Sequence, residues 1–172
     1  MSVERLSFSQ LNAMDRSAFV SQFGWVYEKS AWVAEGAWED RPFWTIDDLH
    51  AAMERVVRSA TLQRQLALIQ AHPDLAGGLR SVSELTVASR REQSDAGLYQ
   101  LTATEAEQMA LNNARYREKF GFPFILCARL NNAGTIREAF AKRLENSRAK
   151  EIDVALAEIS KIGRLRLADA IT

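Results

Sequence analysis

The stretch TIDDLHAAMERVV, residues 45–57, carries the pattern that decides the fold. Thr45 is a favourable N-cap, and Asp47 and Asp48 follow in a first turn where the helix dipole favours acidic side chains. Apolar residues then recur at intervals of four, three and one, which is the pattern of one helix face. They are Leu49, Met53, Val56 and Val57. The stretch therefore predicts an amphipathic α-helix.

Similar signals surround this stretch on both sides. Asp15 is another candidate N-cap, and a helix is predicted over residues 62–71 before Pro73, because the residue preceding proline avoids the α region. Its expected apolar face consists of Leu62, Leu66 and Ile69. Gly77-Gly78 then predicts a loop. These signals add two more helices to the expected fold.

The C-terminal half also shows helix starts and stops. Thr104 and Glu107 fit a capping box, and Gly121 is a suitable C-terminal stop for the helix that follows the box. The last two helices are expected over residues 136–146 and 149–170. The sequence has no alternating strand pattern of useful length and no hairpin signal. We therefore predict an all-α fold, a single compact helical domain of about seven or eight helices that spans the whole chain.

Length and composition exclude several classes of protein. The 172 residues suit one domain, and 22 basic and 22 acidic residues give a formal net charge of zero. That balance argues against nucleic acid and anionic membranes as partners. The chain has no apolar run of roughly 18 residues and no signal-peptide pattern, so a cytoplasmic location is expected. One cysteine and two histidines do not make a convincing metal site.

His72 is the first candidate for chemistry. It stands where the helix over residues 62–71 must stop, and a helix C-terminus favours an imidazolium ion. Histidine titrates near neutral pH, so this position suits proton transfer. The alternative interpretation is that His72 only caps the helix or packs against the following loop.

Ser89, Glu92 and Gln93 form a second candidate group. On a helix, spacings of three and four residues place all three side chains on one side, where they offer a hydroxyl, a carboxylate and an amide to a small molecule. A capping box with Ser89 as N-cap and Glu92 as its partner explains the same spacing, and spacing alone favours it.

Arg166 is the third candidate. It follows Ile159 by seven positions and therefore returns to the apolar face of the last helix. A buried arginine needs an anionic partner, either a protein carboxylate or an anionic ligand. A helix end that reaches solvent is the competing explanation.

Cys127 ends a short apolar run, residues 122–127, which periodicity cannot assign to a helix or a strand. Its thiol is a conceivable nucleophile. Because the run is apolar, a small buried thiol is the favoured interpretation.

Several motifs together resemble one protein family over most of the chain. They are AHPDLAG at 71–77, SRREQ at 89–93, AGL at 96–98, Tyr116, KFGFPFI at 119–125, Asn146, EISKI at 158–162 and LRL at 165–167. The family is the 2-oxo-4-hydroxy-4-carboxy-5-ureidoimidazoline (OHCU) decarboxylases of urate degradation. The three central motifs in this order are highly specific. Gly78 departs from the pattern, because many members carry lysine there.

The resemblance implies an all-helical lyase without cofactor or metal. Its members convert a ureidoimidazoline acid, a small-molecule substrate, into (S)-allantoin and CO₂. His72 matches the catalytic histidine and Glu92 the acidic residue beside it. The positions that match substrate-binding residues are Pro73, Ser89, Gln93, Phe124, Ile125, Leu126, Cys127, Ala128 and Arg166. Members often pair, so the family also implies a homodimer.

Two other functions are compatible with the residues themselves. One is a helical binding module in which the motifs only maintain the fold. The other is a related enzyme that acts on a different ureido or imidazoline acid. A metal hydrolase is disfavoured by the few available ligands.

Overall fold

The computed structural model describes residues 5–76 and 85–172, and helices dominate both ranges. The all-α prediction is confirmed. The α-helices of the described residues are α1 Phe8–Ala13, α2 Arg16–Phe23, α3 Trp32–Ala37, α4 Ile46–Ser59, α5 Leu62–Gln70, α6 Val87–Asp95, α7 Ala103–Phe120, α8 Ala133–Arg143 and α9 Arg148–Ala170. Short 3₁₀ helices occupy Trp38–Asp40 and Ala128–Leu130. The predicted Gly77-Gly78 loop lies outside the described residues.

Side-chain caps explain where the helices begin. The Asp15 carboxylate accepts a hydrogen bond from the Ala18 N–H at 2.8 Å, as predicted for the start of α2. Thr45 and Asp48 form a reciprocal capping box at the start of α4. Asn132 caps α8, which therefore starts at Ala133, ahead of the predicted residue 136. These caps supply acceptors to N–H groups that have no partner within the helix.

The predicted capping box of α7 was placed two residues too late. The box is formed by Thr102 and Glu105, which satisfy the same sequence pattern as Thr104 and Glu107. The earlier box extends the helix and adds backbone hydrogen bonds, so it is favoured when both patterns are available. At the other end, Gly121 terminates α7 in the left-handed conformation with φ of 80°, as predicted.

The chain divides into two compact units. The first comprises Met1–Ala71 and Ser160–Thr172, and it contains α1 to α5 and the end of α9. Its core includes Leu11, Phe19, Phe23, Val33, Phe43, Leu49, Met53, Leu68 and Ile69. On α5 the predicted apolar face is wrong at Leu62, which is 55% exposed at the first turn of the helix. Ile69 is buried, as predicted, and Leu68 is buried beside it.

The second unit comprises His72–Ile159, with α6 to α8 and most of α9. Aromatic rings form its centre. Tyr116 on α7 contacts the rings of Phe120, Phe122, Phe124 and Phe140 at centroid separations of 4.6 to 6.3 Å. The apolar run that periodicity could not assign, residues 122–127, is a non-helical segment whose side chains are buried. Among the described residues, no helix has the length and apolar character needed to cross a membrane.

Candidate active site

His72 lies just beyond the C-terminus of α5. The helix ends at Gln70, Ala71 caps it, and Pro73 follows the histidine, as the sequence predicts. His72 is 6% exposed, so it is a buried titratable group in the loop that leaves the helix. His72 thus occupies the position after a helix that the sequence analysis expected, and its role in proton transfer stays a prediction.

The loop after His72 is fixed by side chains from two helices. Gln93 on α6 accepts a hydrogen bond from the Ala76 N–H at 3.0 Å and donates one to the Asp74 carbonyl at 3.2 Å. From α7, Asn113 donates to the Leu75 carbonyl at 2.8 Å. Arg117, also on α7, pairs with the Asp74 carboxylate at 3.0 Å.

The contacts of Gln93 and Asn113 restrain the backbone of residues 74–76, which follow the histidine by two to four positions, and Arg117 holds the Asp74 side chain. They also hold Ala76 in the left-handed region, with φ of 50°. Because the amide of Gln93 is engaged at both its oxygen and its nitrogen, the structure shows this side chain as a clamp on the loop. Substrate contact by Gln93 and Pro73 stays a prediction.

The N-terminus of α6 excludes the capping box expected at Ser89. The N-cap is Thr86, whose hydroxyl accepts from the Ser89 N–H at 3.3 Å and donates to the Ser89 hydroxyl at 3.1 Å. Ser89 therefore lies inside the helix, at its third position, and is 5% exposed. Gln93 is buried and Glu92 half-buried on the same helix. This is the helical placement on which the binding interpretation depends.

The backbone segment Phe124–Ala128 contains the other substrate-binding positions that the resemblance predicts. Its side chains are all buried, so its polar groups are those of the backbone. The Ile125 carbonyl accepts from Arg143 Nη1 at 2.5 Å, and the Cys127 N–H donates to Glu158 Oε2 at 2.8 Å. The Cys127 carbonyl accepts from the Leu130 N–H at 3.1 Å, which closes the 3₁₀ turn.

The sequence analysis did not single out Arg143 or Glu158, the two charged residues that bind this backbone segment. Arg143 follows Ile136 and Phe140 on the buried face of α8, so the helical-period argument used for Arg166 applies to it as well. Glu158 lies in one of the family-like motifs, but its sequence position does not identify which backbone group it contacts.

The electrostatics of Cys127 show that α6 lies near this segment. Burial raises the pKa of the Cys127 thiol, and the negative charges of Glu158 and then Glu92 raise it further. In addition, α6 packs against the 3₁₀ helix Ala128–Leu130. The charge of Glu92 thus acts on the Cys127 thiol, while its neighbour Gln93 holds the loop that follows His72. A 1% exposed thiol with a raised pKa is protonated at neutral pH and is a poor nucleophile, as the apolar setting suggested.

Arg166 belongs to the first unit. It is 2% exposed, which confirms its predicted place on the buried face of α9 and excludes a helix end in solvent. Its Nη1 atom donates to Glu28 Oε2 at 3.2 Å and to the Val26 carbonyl at 3.2 Å. Of the two partners considered from sequence, the structure contains the protein carboxylate. A contact with substrate stays a prediction.

Residues 5–76 and 85–172 contain no cluster of three or more histidine, cysteine, aspartate or glutamate side chains able to hold a metal ion.

Comparisons with known proteins agree on one activity. The family model described as OHCU decarboxylase matches residues 12–168. A 2-oxo-4-hydroxy-4-carboxy-5-ureidoimidazoline decarboxylase of Halalkalicoccus jeotgali is 44% identical, over 96% of this chain and 92% of its own. The uric acid degradation bifunctional protein PucL of Bacillus subtilis is 40% identical, over 96% of this chain and 33% of its own.

A solved structure supports the same assignment. (S)-Allantoin synthase superposes with a TM-score of 0.77 at 30% identity, and the match covers 96% of this chain and 54% of that chain. This chain therefore spans about half the length of that protein. The class of protein is a lyase, specifically a decarboxylase. The chain belongs to the OHCU decarboxylase family.

Proposed function

We propose that this protein decarboxylates 2-oxo-4-hydroxy-4-carboxy-5-ureidoimidazoline to (S)-allantoin and CO₂, with His72 as acid and base and Glu92 beside it. The observation that carries the proposal is the buried His72, followed by a loop that α6 and α7 hold, in a chain with full-length relatives of this activity. Proton transfer gains from a histidine held in one orientation, because correct placement lowers the entropic part of the barrier.

The chemistry defines what the site must supply. Cleavage of the bond to the carboxyl group releases CO₂ and leaves its electron pair on the ring, which takes it up as an enolate. Negative charge therefore develops on oxygen and is stabilised by fixed donors such as backbone N–H groups. The segment Phe124–Ala128 is the proposed source of those groups, because its side chains are buried and its backbone is its polar part.

A proton completes the reaction. His72 takes a proton from the substrate and returns it to one face of the ring carbon, so the proton of the lost carboxylic acid is balanced by the new C–H bond. Delivery from a single side produces the (S) configuration. Glu92 either stabilises the His72 imidazolium or binds the substrate hydroxyl. Such acid–base assistance contributes roughly 10²–10⁴-fold to rate.

The decisive test is circular dichroism of the product. Urate oxidase and the hydrolase that follows it generate the substrate in situ, and wild type, His72→Asn and Glu92→Gln are compared with no added protein. We expect rapid (S)-allantoin formation with wild type and a fall of roughly 10²-fold or more in His72→Asn. Glu92→Gln should also be slower, whereas a pure binding module predicts no change.

His50→Asn is the matched control, because it makes the same change at the other histidine. His50 lies in the first unit, within hydrogen-bond distance of the Ser160 carbonyl at 2.9 Å. It should keep both the rate and the optical activity. Slow racemic product in every sample would refute the proposed substrate, and full rate and chirality in His72→Asn would refute the role of His72.

A further inference from the structure

Two charged side chains hold the segment Phe124–Ala128 by its backbone. Arg143 on α8 binds the Ile125 carbonyl, and Glu158 on α9 binds the Cys127 N–H, at 2.5 and 2.8 Å. Cys127 has an extended conformation, with φ of −68° and ψ of 97°. The two charged side chains therefore bind backbone groups of residues that are two positions apart in the segment.

The Arg143 anchor is itself restrained. Its guanidinium pairs with the fully buried Glu151 at 2.8 Å and donates to the Tyr116 hydroxyl at 3.2 Å. Glu151 also accepts from the Asn146 amide at 2.6 Å and from the Tyr116 hydroxyl. A network with this many partners has few alternative arrangements, so the Ile125 carbonyl is tied to a rigid part of the unit.

The Glu158 anchor is different, because its carboxylate is half-buried and binds an N–H group of the segment. A carboxylate accepts hydrogen bonds more strongly than a neutral group. The Cys127 N–H is therefore engaged by the protein, and the substrate must use other backbone groups of the segment. This refines the sequence-based expectation that every residue from Phe124 to Ala128 offers its backbone to the substrate.

We propose that Glu158 is a positioning residue that, together with Arg143, sets the backbone of residues 125–127 in the geometry that binds the substrate. The inference rests on the proposed function, since it takes this segment as a substrate contact. A backbone that is already held in the bound geometry loses less conformational freedom when the substrate binds, so the affinity is higher. Glu158 acts through the backbone and exchanges no proton with the substrate.

The test compares Glu158→Ala with Glu158→Gln. The alanine variant has no acceptor for the Cys127 N–H, and we expect KM to rise about tenfold or more, as for loss of a hydrogen bond to a charged group. The glutamine variant keeps an acceptor oxygen, so most of the loss should be restored. The pH profile of kcat should be unchanged in both variants. Glu138→Ala, at an exposed position on α8, is the matched control and should behave as wild type.

A second measurement reports on the hydrogen bond without catalysis. Hydrogen exchange of the Cys127 amide, followed by NMR, should be faster in Glu158→Ala than in wild type and slow again in Glu158→Gln. Unchanged KM or unchanged amide exchange in Glu158→Ala would overturn the inference. So would a glutamine variant as impaired as the alanine variant, because that result assigns Glu158 a charge or proton role. Failure of wild type to make (S)-allantoin would instead refute the proposed function, and amide exchange would still test the Glu158 contact.

Discussion

The two units each bury an arginine–glutamate pair and a tyrosine, but they satisfy these groups differently. In the second unit, the Tyr116 hydroxyl joins Arg143 and Glu151 in one network. In the first unit, Arg166 pairs with Glu28 at 3.2 Å, while no described residue hydrogen-bonds to the buried Tyr27 hydroxyl. The same residue types therefore form one polar network in the second unit. In the first unit, the Tyr27 hydroxyl makes no hydrogen bond to the described residues.

The neighbourhood of Tyr27 explains this difference. Its ring lies against Gly163 of α9, where an added Cβ would come within 3.1 Å of the ring atoms. The glycine admits the aromatic ring without offering a side-chain partner to its hydroxyl. Burial and the charge of Glu54 both raise the pKa of Tyr27 well above its ordinary value, so the phenol is neutral at neutral pH. Tyr27 is thus primarily a packing residue.

Replacing the two buried arginines should give the largest losses of stability and the clearest difference between the two units. Arg143→Met leaves the Glu151 carboxylate buried without its cation, and we expect a loss of about 3–5 kcal/mol in the free energy of unfolding. Arg166→Met should cost less, because its bonds to Glu28 and Val26 are 3.2 Å long against 2.8 Å for the Arg143–Glu151 pair. Urea denaturation measures both, and an equal or larger loss for Arg166→Met would contradict the ranking.

Replacing the two tyrosines by phenylalanine should have an intermediate effect on stability, and the effect should differ between Tyr116 and Tyr27. Tyr116→Phe removes a hydroxyl bonded to a buried carboxylate, so we expect a loss of about 1.5–3 kcal/mol in unfolding free energy. Tyr27→Phe removes a hydroxyl without a hydrogen-bond partner in the described residues, so stability should stay unchanged or rise slightly. Thermal and urea unfolding of the two variants provide the comparison. A destabilised Tyr27→Phe would show that its hydroxyl has a stabilising interaction.

The smallest expected effect concerns the capping boxes of the two units. Hydrogen bonds from the Thr45 hydroxyl and the Trp44 N–H lower the pKa of Asp48, and bonds from the Thr102 N–H and hydroxyl lower the pKa of Glu105. A carboxyl group with a lowered folded-state pKa stabilises the fold above its unfolded-state pKa, and this contribution disappears as the pH falls through the folded-state value.

We therefore expect Asp48→Asn and Glu105→Gln each to flatten the acid limb of the plot of Tm against pH, below the ordinary pKa values of 3.8 and 4.5. Both carboxyl groups are exposed to solvent, so the shifts in Tm should be small and should shrink with added salt. An acid limb identical to that of wild type in both variants would show that the boxes add no pH-dependent stability.

Local signals predicted much of the fold. The caps at Asp15 and Thr45 and the stop at Gly121 were correct, because each depends on contacts within a few residues of the chain. The errors arose where two local patterns competed. Thr102 and Thr104 both fit a capping box, Thr86 and Ser89 are both suitable N-caps for α6, and the sequence does not rank such alternatives.

The contacts in the candidate site were harder to predict from the sequence than the helices were. The position of His72 after a helix and the burial of Arg166 followed from a proline and from helical periodicity. The partners did not follow, because Glu28 is 138 residues from Arg166 along the chain and Glu158 is 31 residues from Cys127. Long-range pairs depend on how helices pack, which periodicity does not specify.

The sequence by itself determined that the chain is helical, where most helices begin and end, and which residues resemble those of the OHCU decarboxylases. These features depend on local hydrogen bonding and on the spacing of apolar side chains. Only the tertiary structure decided which buried charges meet and which backbone groups they bind. The physical reason is that a buried charge is stable only beside a partner, and packing brings together partners that are distant in the chain.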